Sequence, residues 1–251
     1  MRLSFTHKWN VKPAEAREIQ EKLRKRWEGG DRLGTVRTVA GLDAAFVLRS
    51  SQAFAARKRG RQNALRDANR AIGAVVVFSY PEMAELERAY AEVPLEFPYV
   101  PGFLSFREIP ALLAALNKLR RLPDLLFCDG QGYAHPRRMG LASHLGILLD
   151  RPSIGCAKSI LIGNHGPLGE EKGAWTALVE NGETIGAALR TRTGTKPVYI
   201  SPGHRVSLAA ALHLTLSVSD GTRIPRPTRE ADRLVNEIKS GRGSLPHQKN
   251  G

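Results

Sequence analysis

An aspartate, Asp43, stands inside the apolar run AGLDAAF. The surrounding segment, residues 35–46, is rich in Val, Thr and apolar residues and reads as a β-strand. A carboxylate in such a strand is costly unless a cation or hydrogen bonds compensate it. Nothing beside Asp43 in sequence can neutralise it, so the fold must bring the compensation from elsewhere. A second run, DLLFCD at residues 124–129, reads as a short buried strand ending on Asp129 and running into Gly130-Gln131-Gly132. If the two strands are neighbours, their carboxylates repel at close range and require a cation between them. All-oxygen ligands with room for water favour Mg²⁺ or Mn²⁺. Asp129 equally fits the opening of a tight turn before Gly130.

The rest of the pattern is mixed. Residues 12–28 read as a charged amphipathic helix, with Pro13 in the first turn and Gly29-Gly30 ending it, so the N-terminal helical region is expected over 12–30. Strands are expected at 71–79 (AIGAVVVFS) and 84–93. Ile109, Leu112, Leu113, Leu116 and Leu119 fall at helical spacing, as do Leu141, Leu145 and Leu148. Between and after them come a short strand at 152–157 and the strand-like runs WTALVE, TIGAALRT and KPVYI, with Asn181-Gly182 as a hairpin signal. Helices are expected near 205–218 and 228–239, and the tail 241–251 reads as disordered. Strands first, then helix and strand in alternation, make an α/β chain with a mixed sheet flanked by helices. No linker divides it, so one domain is expected over 1–251. The stretch 47–70 is the most basic, carrying Arg57, Lys58, Arg59, Arg61, Arg66 and Arg70; it reads as a phosphate-contacting arm or a solvated face.

Lys and Arg number 38 against 24 Asp and Glu, a formal net charge of +14. That excess is the electrostatic footprint of a nucleic-acid binder, because basic side chains displace counterions from phosphates. The two cysteines, Cys128 and Cys156, sit in or beside apolar runs and read as small buried hydrophobes, which fits a reducing cytoplasm. The opening MRLSFTHKWN lacks the apolar run of a signal peptide, and no window has the roughly 18 apolar residues of a membrane span.

Further candidates carry two readings each. Glu108 opens a helix, and Ser105-Phe106-Arg107-Glu108 matches the capping-box pattern S-x-x-E. His135, in the glycine-punctuated loop GQGYAHPRRMG, is a site residue or a loop histidine bonding backbone. His204 follows Ser201-Pro202-Gly203 at the expected mouth of a helix, where backbone N–H groups attract anions. Lys158, just past a strand end in CAKS, suits neutralisation of phosphate charge, or is only a strand-end cation. His144, on an apolar helix face, reads as structural. Tyr99 lies between Pro98 and Pro101 in PYVP, a stiff tip suited to wedging between stacked bases or to packing on the core.

The segments AGLDAAF, PYVPGFLSFREIPALLAAL, DLLFCDGQGYAHPRRMGLASHLGILLDRPSIGCAKS, GAALRTRTGTKPVYISPGHRVSL and RIPRPTREAD together resemble the endonuclease V family, in the family's order, over about residues 12–240. The resemblance implies a ribonuclease H-like fold in which the first and fourth strands are adjacent and carry Asp43 and Asp129. It implies that these two bind Mg²⁺, with Mn²⁺ able to substitute, that Glu108 binds metal directly or through water, and that His204 helps place metal-bound waters. Lys158 would lie beside the scissile phosphate. The implied reaction is hydrolysis by metal-activated water of the second phosphodiester bond 3′ to deoxyinosine in DNA, leaving 3′-hydroxyl and 5′-phosphate. Tyr99 and Pro101 would form the strand-separating wedge. The flipped base would enter a pocket lined by Gly102, Leu104, Gly130, Gly132, His135, Gly140, Leu141 and Ala157. The partner would be DNA with deaminated bases and the working form a monomer. Inosine-containing RNA, or non-catalytic binding on the same scaffold, are the alternatives. The stretch 47–70 is longer and more basic than the family's usual hairpin.

Overall fold

The computed structural model describes residues 1–47 and 68–241, so most of the basic stretch and all but the first residue of the tail lie outside the described residues. Helix α1 spans Pro13–Arg24; strands β1 (Thr38–Val47), β2 (Arg70–Ser79) and β3 (Glu85–Pro94) follow. Then come helix α2 (Ser105–Leu116), β4 (Leu125–Cys128), α3 (Leu141–Leu149) and β5 (Ser153–Ala157). The chain continues through β6 (Asn164–His165), β7 (Trp175–Glu180), β8 (Glu183–Leu189) and β9 (Val198–His204), and closes with α4 (Leu208–Ser217) and α5 (Arg226–Lys239).

All nine described strands form one sheet in the order β3-β2-β1-β4-β5-β9-β8-β7-β6. β1, β2 and β3 are antiparallel neighbours, β1, β4 and β5 are parallel, and β9 returns antiparallel to β5. This is the ribonuclease H-like mixed sheet expected above. The hairpin at Asn181-Gly182 joins β7 to β8, both residues at positive φ.

Alternation along the strands divides the interior into two layers. Val39 of β1 and Phe127 of β4 face the layer that holds Leu234 and Val235 of α5. Ala40 and Leu42 of β1, with Leu126 and Cys128 of β4, face the layer built from α2 and α3. Cys128 and Cys156 are both free thiols in the core, as small apolar fillers. Two close approaches set how far the helices descend onto the sheet. A Cβ on Gly41 of β1 would lie 1.8 Å from the carbonyl oxygen of Pro227 in α5. A Cβ on Gly73 of β2 would lie 2.4 Å from the backbone of Ala111 in α2. Glycine at these points lets helix backbone rest directly on strand backbone.

The N-terminal helix is shorter than its pattern. It stops at Arg24 rather than reaching Gly29-Gly30. Tertiary contacts win over helical propensity here: the Trp27 indole N–H donates to the carbonyl of Gly203 at 2.6 Å, and its ring lies 4.3 Å from that of Tyr133. Among the described residues no helix is long and apolar enough to cross a membrane.

Candidate active site

The pairing of β1 with β4 sets the centre of the site. Leu42 lies opposite Cys128, and the N–H of Asp129 donates to the carbonyl of Leu42 at 2.9 Å. Asp43 and Asp129 therefore end up side by side on neighbouring parallel strands. By alternation Asp43 shares the face of Val39 and Gly41, and Asp129 the face of Phe127. That face is covered by α5, whose backbone rests on Gly41 and brings Asp232 down to the pair. Oxygens of Asp43, Asp129 and Asp232 lie within 4.8 Å of one another, a group able to hold a metal ion.

Charge in this cluster is poorly compensated. Burial, and then the neighbouring Asp129 charge, push the Asp43 carboxyl well above the usual carboxylate range; the Lys158 charge, and then the N–H of Ala44 2.8 Å from Asp43 Oδ1, offset this only in part. Burial also raises Asp129, even though the Lys158 ammonium opposes it from 2.5 Å. Lys158 reaches Asp232 as well, at 3.0 Å. Burial disfavours its ammonium, but these two carboxylates outweigh that and hold it above its ordinary value. Glu108 comes in on α2 from the opposite layer. Its carboxyl is raised first by burial, then by Asp43 and Asp129, against a smaller opposing pull from Arg107. Among the described residues, Lys158 thus serves the three aspartates and Arg107 opposes the shift at Glu108, too little positive charge for a site that must stay ionised.

Next to the cluster is a cavity of about 200 Å³, lined in part by Asp129 and Glu108. This is below the roughly 300–1,000 Å³ of drug-sized ligand sites and suits a single flat ring system. Of the residues expected around a base, Tyr99, Pro101, Gly102 and Leu104 line it from the loop before α2, and Gly130, His135, Gly140 and Leu141 from the loop after β4 and the start of α3. His135 is held by backbone on both sides. Its Nδ1 accepts the N–H of Arg137 at 3.2 Å, so its Nε2–H donates to the carbonyl of Gly102 at 3.0 Å. Burial, and then Arg137, push it down to about 4, and the ring is neutral. The Gly102 carbonyl is also reached by Arg137 at 2.5 Å and by the fully buried Gln20 at 3.3 Å. This clamp ties α1 and the loop after β4 to the tip of the PYVPGF loop.

Four placements differ from those expected. His204 does not join the carboxylates. It lies within β9 rather than at a helix mouth, and it pairs with Ser153, the first residue of β5. Lys158 follows the other end of β5, five strand steps or roughly 16 Å from Ser153. Buried, His204 accepts the N–H of Glu28 at 3.3 Å and has Nε2 3.8 Å from Asp150. Gly132 and Ala157 are absent from the cavity wall. The N–H of Gly132 is spent on the Ser201 hydroxyl at 2.9 Å, and Ala157 is buried in β5. The capping box does not form either: the N-cap is Leu104, with no side-chain cap, and the Ser105 hydroxyl turns to His144 at 3.1 Å. The turn Phe103–Phe106 starts the helix early and places Ser105 inside it.

Asp232 went unread. Its helix, RPTREADRLVNEIK, also carries Glu230 and Glu237, and periodicity cannot separate one of them from a solvent-facing acid. The signal available was that RIPRPTREAD, a segment carrying the resemblance, contains it. Val100, Ser105, Gln131 and Leu161 also line the cavity, a placement that no motif signalled.

Comparison with known proteins agrees with this geometry. The endonuclease V family model matches residues 17–233. Endonuclease V of Roseiflexus castenholzii is 48% identical over 237 residues, covering 94% of this chain and 98% of that protein. The crystal structure of endonuclease V from Streptomyces avermitilis superposes with a TM-score of 0.81 at 37% identity, over 93% of this chain and 95% of that one. Endonuclease V of Ciona intestinalis, solved in complex with DNA containing an inosine followed by a ribo-adenosine, gives 0.72 at 28% identity, over 91% and 98%. Resemblance read from short motifs thus extends along nearly the whole chain and its backbone, and the chain belongs to the endonuclease V family.

Proposed function

We propose that this protein is a Mg²⁺-dependent endonuclease that hydrolyses the second phosphodiester bond 3′ to deoxyinosine in DNA, initiating repair. Family membership makes it a nuclease acting on DNA. One observation carries the reading of its site: three carboxylates gather their oxygens within 4.8 Å, beside a cavity sized for one ring system.

The donor set fits a hard divalent ion. It is all oxygen, it is short of positive charge, and the upward shifts of Asp43 and Glu108 are what a cation would reverse. Asp43, Asp129 and Asp232 would hold the ion, with Glu108 reaching it directly or through water. Mn²⁺ would serve in its place. Bound there, the ion supplies Lewis acidity toward phosphate oxygen and toward water. The protein supplies the rest. Lys158, its side chain 43% exposed, is placed to exchange Asp232 for the scissile phosphate and neutralise its developing charge. The cavity takes the extruded base, with backbone of Gly102, Gly130 and Gly140 close to its edges. Tyr99 and Pro101, on the clamped loop, fill the space that the base leaves. One chain carries every group named, which supports action as a monomer.

A second reading, inosine in RNA, is favoured by the ribo-adenosine in the Ciona intestinalis complex. The experiment tests both: oligonucleotides with a single inosine, as DNA and as RNA, are incubated with Mg²⁺, with Mn²⁺ and with chelator, and the products are mapped. Metal-dependent cleavage at the second bond 3′ to inosine, leaving 5′-phosphate, is expected. Cleavage undiminished by chelator, or placed without regard to inosine, overturns the proposal.

A further inference from the structure

One residue of the cavity wall has no role so far: Ser105, a hydroxyl-bearing residue in the first turn of α2. Its oxygen lies 3.1 Å from Nδ1 of His144, a fully buried residue of α3. Nε2 of His144 lies 2.8 Å from Nε2 of His7, and Nδ1 of His7 lies 2.8 Å from the backbone carbonyl of Lys8. One hydrogen-bonded chain thus runs from the N-terminal segment to the cavity.

The far end of that chain fixes the direction of every bond in it. A carbonyl oxygen only accepts, so Nδ1 of His7 carries the proton. In a neutral His7 the other nitrogen is bare and accepts, so His144 donates from Nε2. Its Nδ1 is then bare, and the Ser105 hydroxyl donates to it. Both rings are neutral, since burial pulls each below its ordinary value and His7 adds to this for His144. Trp9 and Phe106 pack around the histidine pair, with ring centroids 4.2–5.6 Å away.

We propose that Ser105 is a specificity-determining acceptor, set in that state by the positioning residues His144 and His7, and that it reads a ring N–H on the base in the cavity. The only proton of the hydroxyl is committed to His144, so the oxygen offers lone pairs to an occupant. Hypoxanthine presents a ring N–H at N1. Adenine has a bare nitrogen there, which would set lone pair against lone pair. This inference rests on the cavity being the base pocket.

The test compares wild type with Ser105→Ala on DNA containing deoxyinosine and on DNA containing its analogue in which N1–H is replaced by C–H. Wild type is expected to lose roughly tenfold in kcat/KM on the analogue, the order of one neutral hydrogen bond. Ser105→Ala is expected to lose a similar factor on deoxyinosine and nothing further on the analogue. Equal losses on both substrates in the variant, or full-rate analogue cleavage by wild type, overturn the inference while leaving the proposed function standing. A wild type that cuts neither substrate overturns the proposed function, and the inference with it. Long-range proton–nitrogen NMR of the wild-type protein is an independent readout: His144 is expected as the Nε2–H tautomer, and the Nδ1–H tautomer overturns the inference whatever the kinetics show.

Discussion

The Lys158 ammonium lies 2.5 Å from Oδ2 of Asp129 and also reaches Asp232, so it stands at the edge of the same carboxylate group that would hold a divalent ion. Lysine and metal therefore share two carboxylates, and binding of one weakens the hold on the other. Replacing Lys158 with methionine keeps the stem and removes the charge. Cleavage is expected to fall roughly 10²-fold, as for the loss of one group that stabilises transition-state charge. Mg²⁺ affinity measured by calorimetry should stay level or rise. A fall in affinity that matches the loss of cleavage would show instead that Lys158 builds the metal site.

Asp43→Asn removes a carboxylate whose charged form the fold resists. In chelator at pH 8 the variant is expected to be more stable than wild type by about 1 kcal/mol, or roughly 2–4 °C in Tm for a chain of this size. The sign with pH follows from linkage. The carboxyl of Asp43 is raised in the folded state, so folded wild type holds its proton more tightly than the unfolded chain does. Wild type therefore gains stability relative to the variant as pH falls, and the advantage of the amide should vanish at acid pH. The lowered histidines, His7, His135, His144 and His204, act in the opposite sense but are common to both proteins and cancel in the difference. Paired thermal melts across pH 5–8 read this directly. An advantage that grows as pH falls would contradict the assignment. The variant should not cleave at any of these pH values.

Gly41 decides where α5 sits. A methyl group there meets the Pro227 carbonyl at 1.8 Å, and backbone cannot yield as a flexible side chain would. Gly41→Ala is expected to cost about 1–3 kcal/mol, in line with overpacked cores. It should also lift α5, and Asp232 with it, away from Asp43. Weaker Mg²⁺ binding in a folded protein, seen by calorimetry with circular dichroism as control, is the expected result. Unchanged affinity would mean that Asp232 does not contribute to the metal site.

How much of this was legible follows the range of the forces involved. The sheet was readable because Val76, Leu126 and Ile154 sit in short apolar runs with clear bounds, and burial of such runs is a local property of sequence. Asp43 was readable for the opposite reason, as the residue in its strand that burial alone cannot explain. What sequence did not show depends on register and helix docking. His204 and Lys158 belong to neighbouring strands, yet the pairing of Ser153 with His204 puts them at opposite ends. Asp232 acquires meaning only once Gly41 admits α5. The spacing of Ser105 and Glu108 matched a capping motif, but the turn at Phe103 claimed the helix start and left the serine to His144.

Tyr99 sits at the tip of the PYVPGF loop, half-buried, with the Arg107 guanidinium 5.8 Å from its ring centroid. Arg107 is itself buried and lies 4.8 Å over the ring of Phe46, so the tyrosine rests on a braced cation while one side of it faces the cavity. Its loop is fixed below by the three donors on the Gly102 carbonyl. Such a ring can replace a base in a stack without first having to be ordered. Tyr99→Ala should therefore lower kcat/KM on inosine-containing duplex by roughly tenfold or more, since stacking of a base on an aromatic ring contributes about 1–3 kcal/mol. On a single strand the base needs no extrusion, and the loss should be smaller. Gln20→Ala, which touches no substrate, should reproduce part of the duplex defect by loosening the clamp. Equal losses on duplex and single strand for Tyr99→Ala would assign the ring to contact with the bound base rather than to separation of the strands.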